Sequence, residues 1–126
     1  MSQWVMIAAV AAGGAAGSVG RYLVSSSWLP WAGPQALPWG TLLVNVAGSF
    51  LYGLLFALLS RYLPAGDTLR VALLAGFLGG FTTFSSFSFE TVRLFQAGQG
   101  ALAITYVLAS VASCLLALWL GLSLSR

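Results

Sequence analysis

The chain has 126 residues, 60% of them hydrophobic and 6% charged, with a formal net charge of +3. Soluble domains carry roughly 25% charged residues, so five Arg, one Asp and one Glu cannot clothe a surface meant for water. The length fits one domain, too small to enclose a wide cavity within one subunit. The positive charge is not a nucleic-acid footprint, because Arg21, Arg61, Arg70, Arg93 and Arg126 are scattered and form no patch. A single cysteine, Cys114, and the absence of histidine exclude an intrachain disulfide and argue against a zinc or iron–sulfur site.

Crossing a bilayer core about 30 Å thick takes about 20 mostly apolar residues. Four stretches meet that requirement, and the fold class expected is an all-α membrane protein of four spans. The first runs from about Trp4 to Val24 and meets its only charge at Arg21. It follows Met1-Ser2-Gln3 directly, without the basic flank of a cleaved signal peptide, and reads as a helix that stays. A loop with Pro30, Gly33, Pro34 and Pro38 comes next. The second span covers about Trp39 to Tyr62. After the turn Pro64-Ala65-Gly66-Asp67, in which Asp67 is placed to cap the next helix, the third covers about Leu69 to Ala97. Gly98 and Gly100 mark a short link to the fourth, about Ala101 to Leu122. Such tight links suggest antiparallel neighbours.

The middle of the third span reads Gly79-Gly80-Phe81-Thr82-Thr83-Phe84-Ser85-Ser86-Phe87-Ser88. Paired glycines followed by hydroxyl residues are weak helix formers. Two readings stand: a break near 79–83, tolerated at membrane depth only where protein or a wet cavity covers it, or an unbroken helix using Gly76 and Gly80 as a GxxxG packing face.

With four spans both termini lie on one side, together with Arg61, Arg70 and Arg126; Arg21 and Arg93 lie on the other. Orientation follows the excess of basic residues in short loops. Three against two is close to no instruction, and a chain inserting both ways up can pair as an antiparallel dimer, the geometry other transporters reach by inverted repeats. The plainer reading is one orientation fixed by something other than arginine.

Polar and small residues fall into helical stripes. On the second span these are Thr41, Asn45, Gly48, Ser49 and Tyr52; on the fourth, Tyr106, Ser110, Ser113 and Cys114. On the third, Thr83, Ser86 and Glu90 share a face while Phe81, Phe84 and Phe87 recur every third residue. Hydroxyls at helix interfaces commonly serve as packing glue. A mid-span amide such as Asn45 wants partners from another helix or a bound species. No carboxylate sits at the centre of a span, Glu90 lying toward the end of the third, and no nucleophile–base pair or phosphate loop offers enzyme chemistry. Amide and hydroxyl donors with the positive ring edges of Phe suit an anion. Arg21 either draws anions to a vestibule or anchors its helix by snorkelling.

Three blocks together resemble the Fluc (CrcB) fluoride channels. They are Gly13-Gly14-Ala15-Ala16-Gly17 with Arg21-Tyr22; Pro38-Trp39-Gly40-Thr41-Leu42 with Asn45 and Gly48; and Gly76 through Ser88 with Glu90. The resemblance spans all four segments in order. It implies a dual-topology homodimer in the bacterial inner membrane, with two antiparallel pores lined by both subunits that let fluoride leave the cell passively and so confer fluoride resistance. It implies a structural Na+ at the dimer interface, held by backbone carbonyls that map to Gly79 and Thr82. The pore phenylalanines map to Phe84 and Phe87, the pore amide to Asn45, and hydroxyls near the pathway to Thr41, Thr83, Ser85, Ser86, Tyr106 and Ser110. Arg21 maps to the vestibule. Ser86 stands where Thr is usual. One turn past Ser110, where a second Ser is usual, stand Ser113 and Cys114, leaving open which faces the pore. A proton-coupled secondary transporter of the same size is the alternative reading, and a purely structural membrane subunit a third.

Overall fold

The structure, a computed structural model, describes residues 2–126. Among these residues it is all-helical, and four helices are long and apolar enough to cross a membrane: Gln3–Trp28, Trp39–Ser60, Thr68–Gln96 and Gly100–Leu124. The first and third begin on local signals visible in the sequence. Helix α1 (Gln3–Tyr22) starts where the Ser2 hydroxyl accepts the Val5 amide at 3.3 Å, and it runs on as a π-helical turn, Leu23–Trp28. Helix α2 is Trp39–Ser60. Asp67 caps α3 (Thr68–Val71), taking the Leu69 and Arg70 amides at 2.9 and 3.4 Å. The third span continues as a π-helical stretch, Ala72–Leu78, then α4 (Gly79–Phe81) and α5 (Phe84–Gln96). Gly98, at φ 77°, ends α5: its amide bonds to the Phe95 carbonyl at 3.1 Å and that of Gln99 to the Leu94 carbonyl at 2.9 Å. This is a Schellman stop that a left-handed glycine makes cheap. Helix α6 is Gly100–Leu124.

The outer faces carry bare apolar side chains, as a lipid solvent demands. Trp4, Trp28, Trp39, Tyr62 and Trp119 stand exposed near span ends, where amphipathic rings favour the headgroup level.

Sequence neighbours do touch, but the short links do not make them the main packing partners. Instead α1 lies along the first half of the third span, and α2 along α6. Glycines set both pairings by letting backbones touch. A Cβ on Gly17 would run into the Phe77 carbonyl and lie 2.9 Å from the Phe81 amide nitrogen; a Cβ on Gly53 would strike the Leu118 carbonyl. Gly76 and Gly80 face Gly13 and Gly14 of α1, so the GxxxG face exists. The main buried cluster is Phe87, Leu94, Ala103 and Tyr106, between α5 and α6, with Trp31 and Leu37 of the first loop closing over it.

Candidate functional site: a groove beside an interrupted helix

Gly79 and Gly80 remain helical, and the interruption falls on the two threonines after them. Thr82 (φ −80°, ψ 156°) and Thr83 (φ −148°, ψ 117°) are extended, the conformation β-branched side chains favour. Their hydroxyls serve the flanking helix ends. Thr82 Oγ1 donates to the Leu78 carbonyl at 3.0 Å, beside its own amide at 3.1 Å. Thr83 Oγ1 accepts the Ser86 amide at 3.1 Å as the N-cap of α5 and lies 3.2 Å from both the Ser85 and Ser86 hydroxyls.

Breaking a helix frees backbone groups that must find partners away from water. Two neighbouring helices supply them. Asn45 of α2 pairs with Thr83 twice: its Oδ1 accepts the Thr83 amide at 2.8 Å and its Nδ2 donates to the Thr83 carbonyl at 3.1 Å. In a continuous helix that amide would bond to the Gly79 carbonyl, so Asn45 takes the donor from Gly79. From α1, Arg21 Nε donates to the Gly80 carbonyl at 3.2 Å. The partner the sequence demanded for Asn45 is thus backbone from another helix, a group no residue pattern displays.

A groove of about 400 Å³ opens beside this segment. Of the residues singled out from sequence, Asn45, Gly79, Thr82, Thr83, Phe84 and Phe87 line it. From α6, Ser110 and Cys114 join them, with Ser49 and Tyr52 from the α2 stripe. Ser113 does not line it; its hydroxyl turns back to the Ala109 carbonyl of its own helix. The side chain one turn past Ser110 on the groove is therefore a thiol. Ser110 Oγ is buried and has no hydrogen-bond partner among the described residues.

Phe84 is 78% exposed at the rim, whereas Phe87 is 8% exposed behind it. Their rings sit 5.5 Å apart at 56°, and Phe87 meets Tyr106 at 5.2 Å and 55°. These tilted contacts turn ring edges toward ring faces, the arrangement aromatic quadrupoles prefer. Behind the row lies Glu90, buried, with one hydroxyl on each carboxyl oxygen: Thr41 Oγ1 at 2.7 Å and Tyr106 OH at 2.8 Å. Thr41 and Tyr106 therefore point at this carboxyl and do not line the groove. Sequence reasoning placed Glu90 on a shared face with Thr83 and Ser86 but gave it no part. The available signal was a lone acid in an apolar span, which needs donors, and two polar stripes that could supply them. Among the described residues no group of three or more His, Cys, Asp or Glu is placed to hold a metal ion.

Over residues 8–122 the chain matches the family described as CrcB-like protein, Camphor Resistance (CrcB). This chain belongs to the CrcB family. Similar CrcB relatives agree along almost their whole length. One from Magnetococcus marinus is 49% identical over 97% of this chain and 98% of its own. One from Agrobacterium fabrum is 52% identical over 97% of each. One from Rhizobium meliloti is 50% identical over 93% of each. All three carry the name Fluoride-specific ion channel FluC. With four apolar spans, this CrcB chain is a multi-pass membrane protein.

Proposed function

We propose that this chain is a fluoride-selective ion channel of the bacterial plasma membrane, passing F− down its gradient and so lowering cytoplasmic fluoride. The observation that carries the reading is the groove: within a largely apolar wall its lining offers an amide, hydroxyls, a thiol and phenylalanine rings, and includes no carboxylate. Fluoride is small and strongly hydrated, so a pathway must replace its water with placed donors. A narrow bore would exclude larger halides. The groove's chemistry is that of a conduit, with no nucleophile–base pair for catalysis.

A single chain offers only half of a walled pathway. Phe84 stands bare at the rim, and the extended segment of Thr82 and Thr83 is only partly buried within one chain. A second, antiparallel copy covers both, which makes two identical pathways related by a two-fold axis in the membrane plane. Arg61, Arg70 and Arg126 against Arg21 and Arg93 is a bias weak enough to permit both insertions. In this reading Asn45, Phe84, Phe87, Thr83, Ser110 and Cys114 border the ion, with Thr41, Ser85, Ser86 and Tyr106 supporting them and Arg21 beside the entrance. A structural Na+ fits the interface. The Gly79 carbonyl has lost its helical donor to Asn45, and Thr82, in extended backbone, ends α4. Two such oxygens from each copy give hard donors suited to a hard cation, and a bound Na+ supplies charge that holds the two copies together.

The buried Glu90 gives the alternative, a proton-coupled transporter, an acid to work with. Fluoride efflux from liposomes with and without a pH gradient separates the two. A channel passes fluoride electrogenically without the gradient. Strict coupling to protons would overturn the reading, and the absence of any flux would leave a structural subunit. Single-cysteine labelling of the N-terminus tests the orientation: labels on one face only would remove the antiparallel dimer and its Na+ site. Depleting Na+ is expected to weaken the dimer by mass action.

A further inference from the structure

The two helices that flank the break hold it from opposite sides. Asn45 of α2 grips Thr83 after Thr82, and Arg21 of α1 grips Gly80 before it. We infer that Arg21 is a positioning residue for the conduction pathway, acting through the hydrogen bond from its Nε to the Gly80 carbonyl and not as a charge that attracts anions. The inference rests on the channel reading for its effect on flux, but the contact itself does not.

Several features aim this side chain at backbone. Gly13 and Gly17 let α1 lie against the third span with no side chain between them, and Gly20 packs beside the Phe81 ring, which even an added Cβ would meet at 3.5 Å. One residue on, Arg21 therefore reaches the main chain of Gly80. The donor is Nε, the nitrogen fixed in the chain of the side chain, and not a terminal NH2 that swivels outward. The Ser25 hydroxyl donates to the Arg21 carbonyl at 2.8 Å and ties down the turn that presents it.

The Gly80 carbonyl matters because of what it would otherwise bond. Its partner in a continuous helix is the amide of Phe84, the first residue of α5. A carbonyl in hydrocarbon cannot stay unpaired. Without Arg21, the nearest way to satisfy it is to wind Thr82 and Thr83 into the helix. That would withdraw the Thr83 amide from Asn45, return it to Gly79 and swing Phe84 off the rim. Arg21 thus keeps the interruption open by removing the incentive to close it.

The test uses side chains that separate donor from charge. Gln places Nε2 the same number of bonds from the backbone as Arg Nε, without charge; Met places a carbon there. In liposomes Arg21→Gln is expected to keep fluoride flux within about threefold of wild type and to retain its ionic-strength dependence, while Arg21→Met loses about tenfold or more. Carbon chemical shifts of Thr82 and Thr83 in bilayers report the break directly: extended values in wild type and Arg21→Gln, moving toward helical values in Arg21→Met. Equal impairment of Gln and Met with the threonine shifts unmoved would assign the role to charge and overturn the inference, as would wild-type flux in Arg21→Met. A measurement on wild type needs no variant to fold. Protein labelled with 15N at arginine Nε and 13C at glycine carbonyls should show a dipolar contact from the Arg21–Gly80 bond. Its absence would overturn the tie whatever the flux, whereas wild type that shows the contact but passes no fluoride would fault the channel reading alone.

Discussion

Tyr106→Phe removes one oxygen from a side chain with no exposed surface and leaves its ring against Phe87. The lost atom is the donor to Glu90 Oε1 at 2.8 Å; Thr41 keeps its bond to Oε2. A hydrogen bond to a charged group nets about 1.5–3 kcal/mol in soluble proteins. Between membrane helices the measured worth averages about 0.6 and reaches about 1.7 kcal/mol, because the unfolded chain in lipid also finds partners. The Glu90 site sits toward the upper end, since burial leaves the stripped oxygen no water to turn to. The expected loss is therefore about 1–2 kcal/mol, or about five- to thirtyfold in the folding equilibrium. Unfolding in mixed micelles, followed by tryptophan fluorescence, measures it. Glu90→Gln and the double variant complete a cycle, and the double variant should cost less than the sum of the two singles by at least about 0.5 kcal/mol. If Tyr106→Phe unfolds like wild type, or if the two changes simply add, the hydroxyl and the carboxyl are not partners.

Asn45→Asp should nearly abolish fluoride flux, because it sets a carboxylate on the anion path at an insertion cost of about 2.5–3.5 kcal/mol and deletes the Nδ2 donor to the Thr83 carbonyl; wild-type conduction would take Asn45 off the path. Phe84→Ile and Phe87→Ile should lower throughput in protein purified as an intact dimer, since both rings line the groove; normal conduction by both would reduce the rings to packing. Gly17→Ala should cost about 1–3 kcal/mol or more of stability by forcing α1 off the Phe77 backbone, while Gly14→Ala, whose added Cβ would meet nothing nearer than the Gly76 carbonyl at 3.8 Å, should be tolerated. Thermal unfolding in detergent compares the two, and equal melting temperatures would contradict the close approach.

The four spans were legible because length and apolar content decide them, and the Asp67 cap because its chemistry is local. The α2 stripe was legible in part: helical period put Asn45, Gly48, Ser49 and Tyr52 on the face that lines the groove, whereas Thr41, counted in the same stripe, turns to Glu90. Partners distant in sequence were not. Thr41 and Glu90 lie 49 residues apart, and nothing in either stripe says which faces the other. Main-chain groups carry no sequence signal at all, so the grip of Asn45 on Thr83 and of Arg21 on Gly80 was invisible. Ser113 and Cys114 differ by one step of about 100° around α6, finer than a polar stripe can resolve, and only the return of the Ser113 hydroxyl to Ala109 separates them.

The pairing of α1 with the third span and of α2 with α6 interleaves the chain. During synthesis neither pair can form when its first member enters the membrane, because its mate is two spans further along the chain. Helices α1 and α2 must wait in lipid as independent segments, each stable only through its own backbone bonds. Packing comes only after both mates are inserted, so no contact between them helps to place the early segments. A chain cut between α2 and α3 would divide both pairs at once, so its two halves would have to find each other before either could pack.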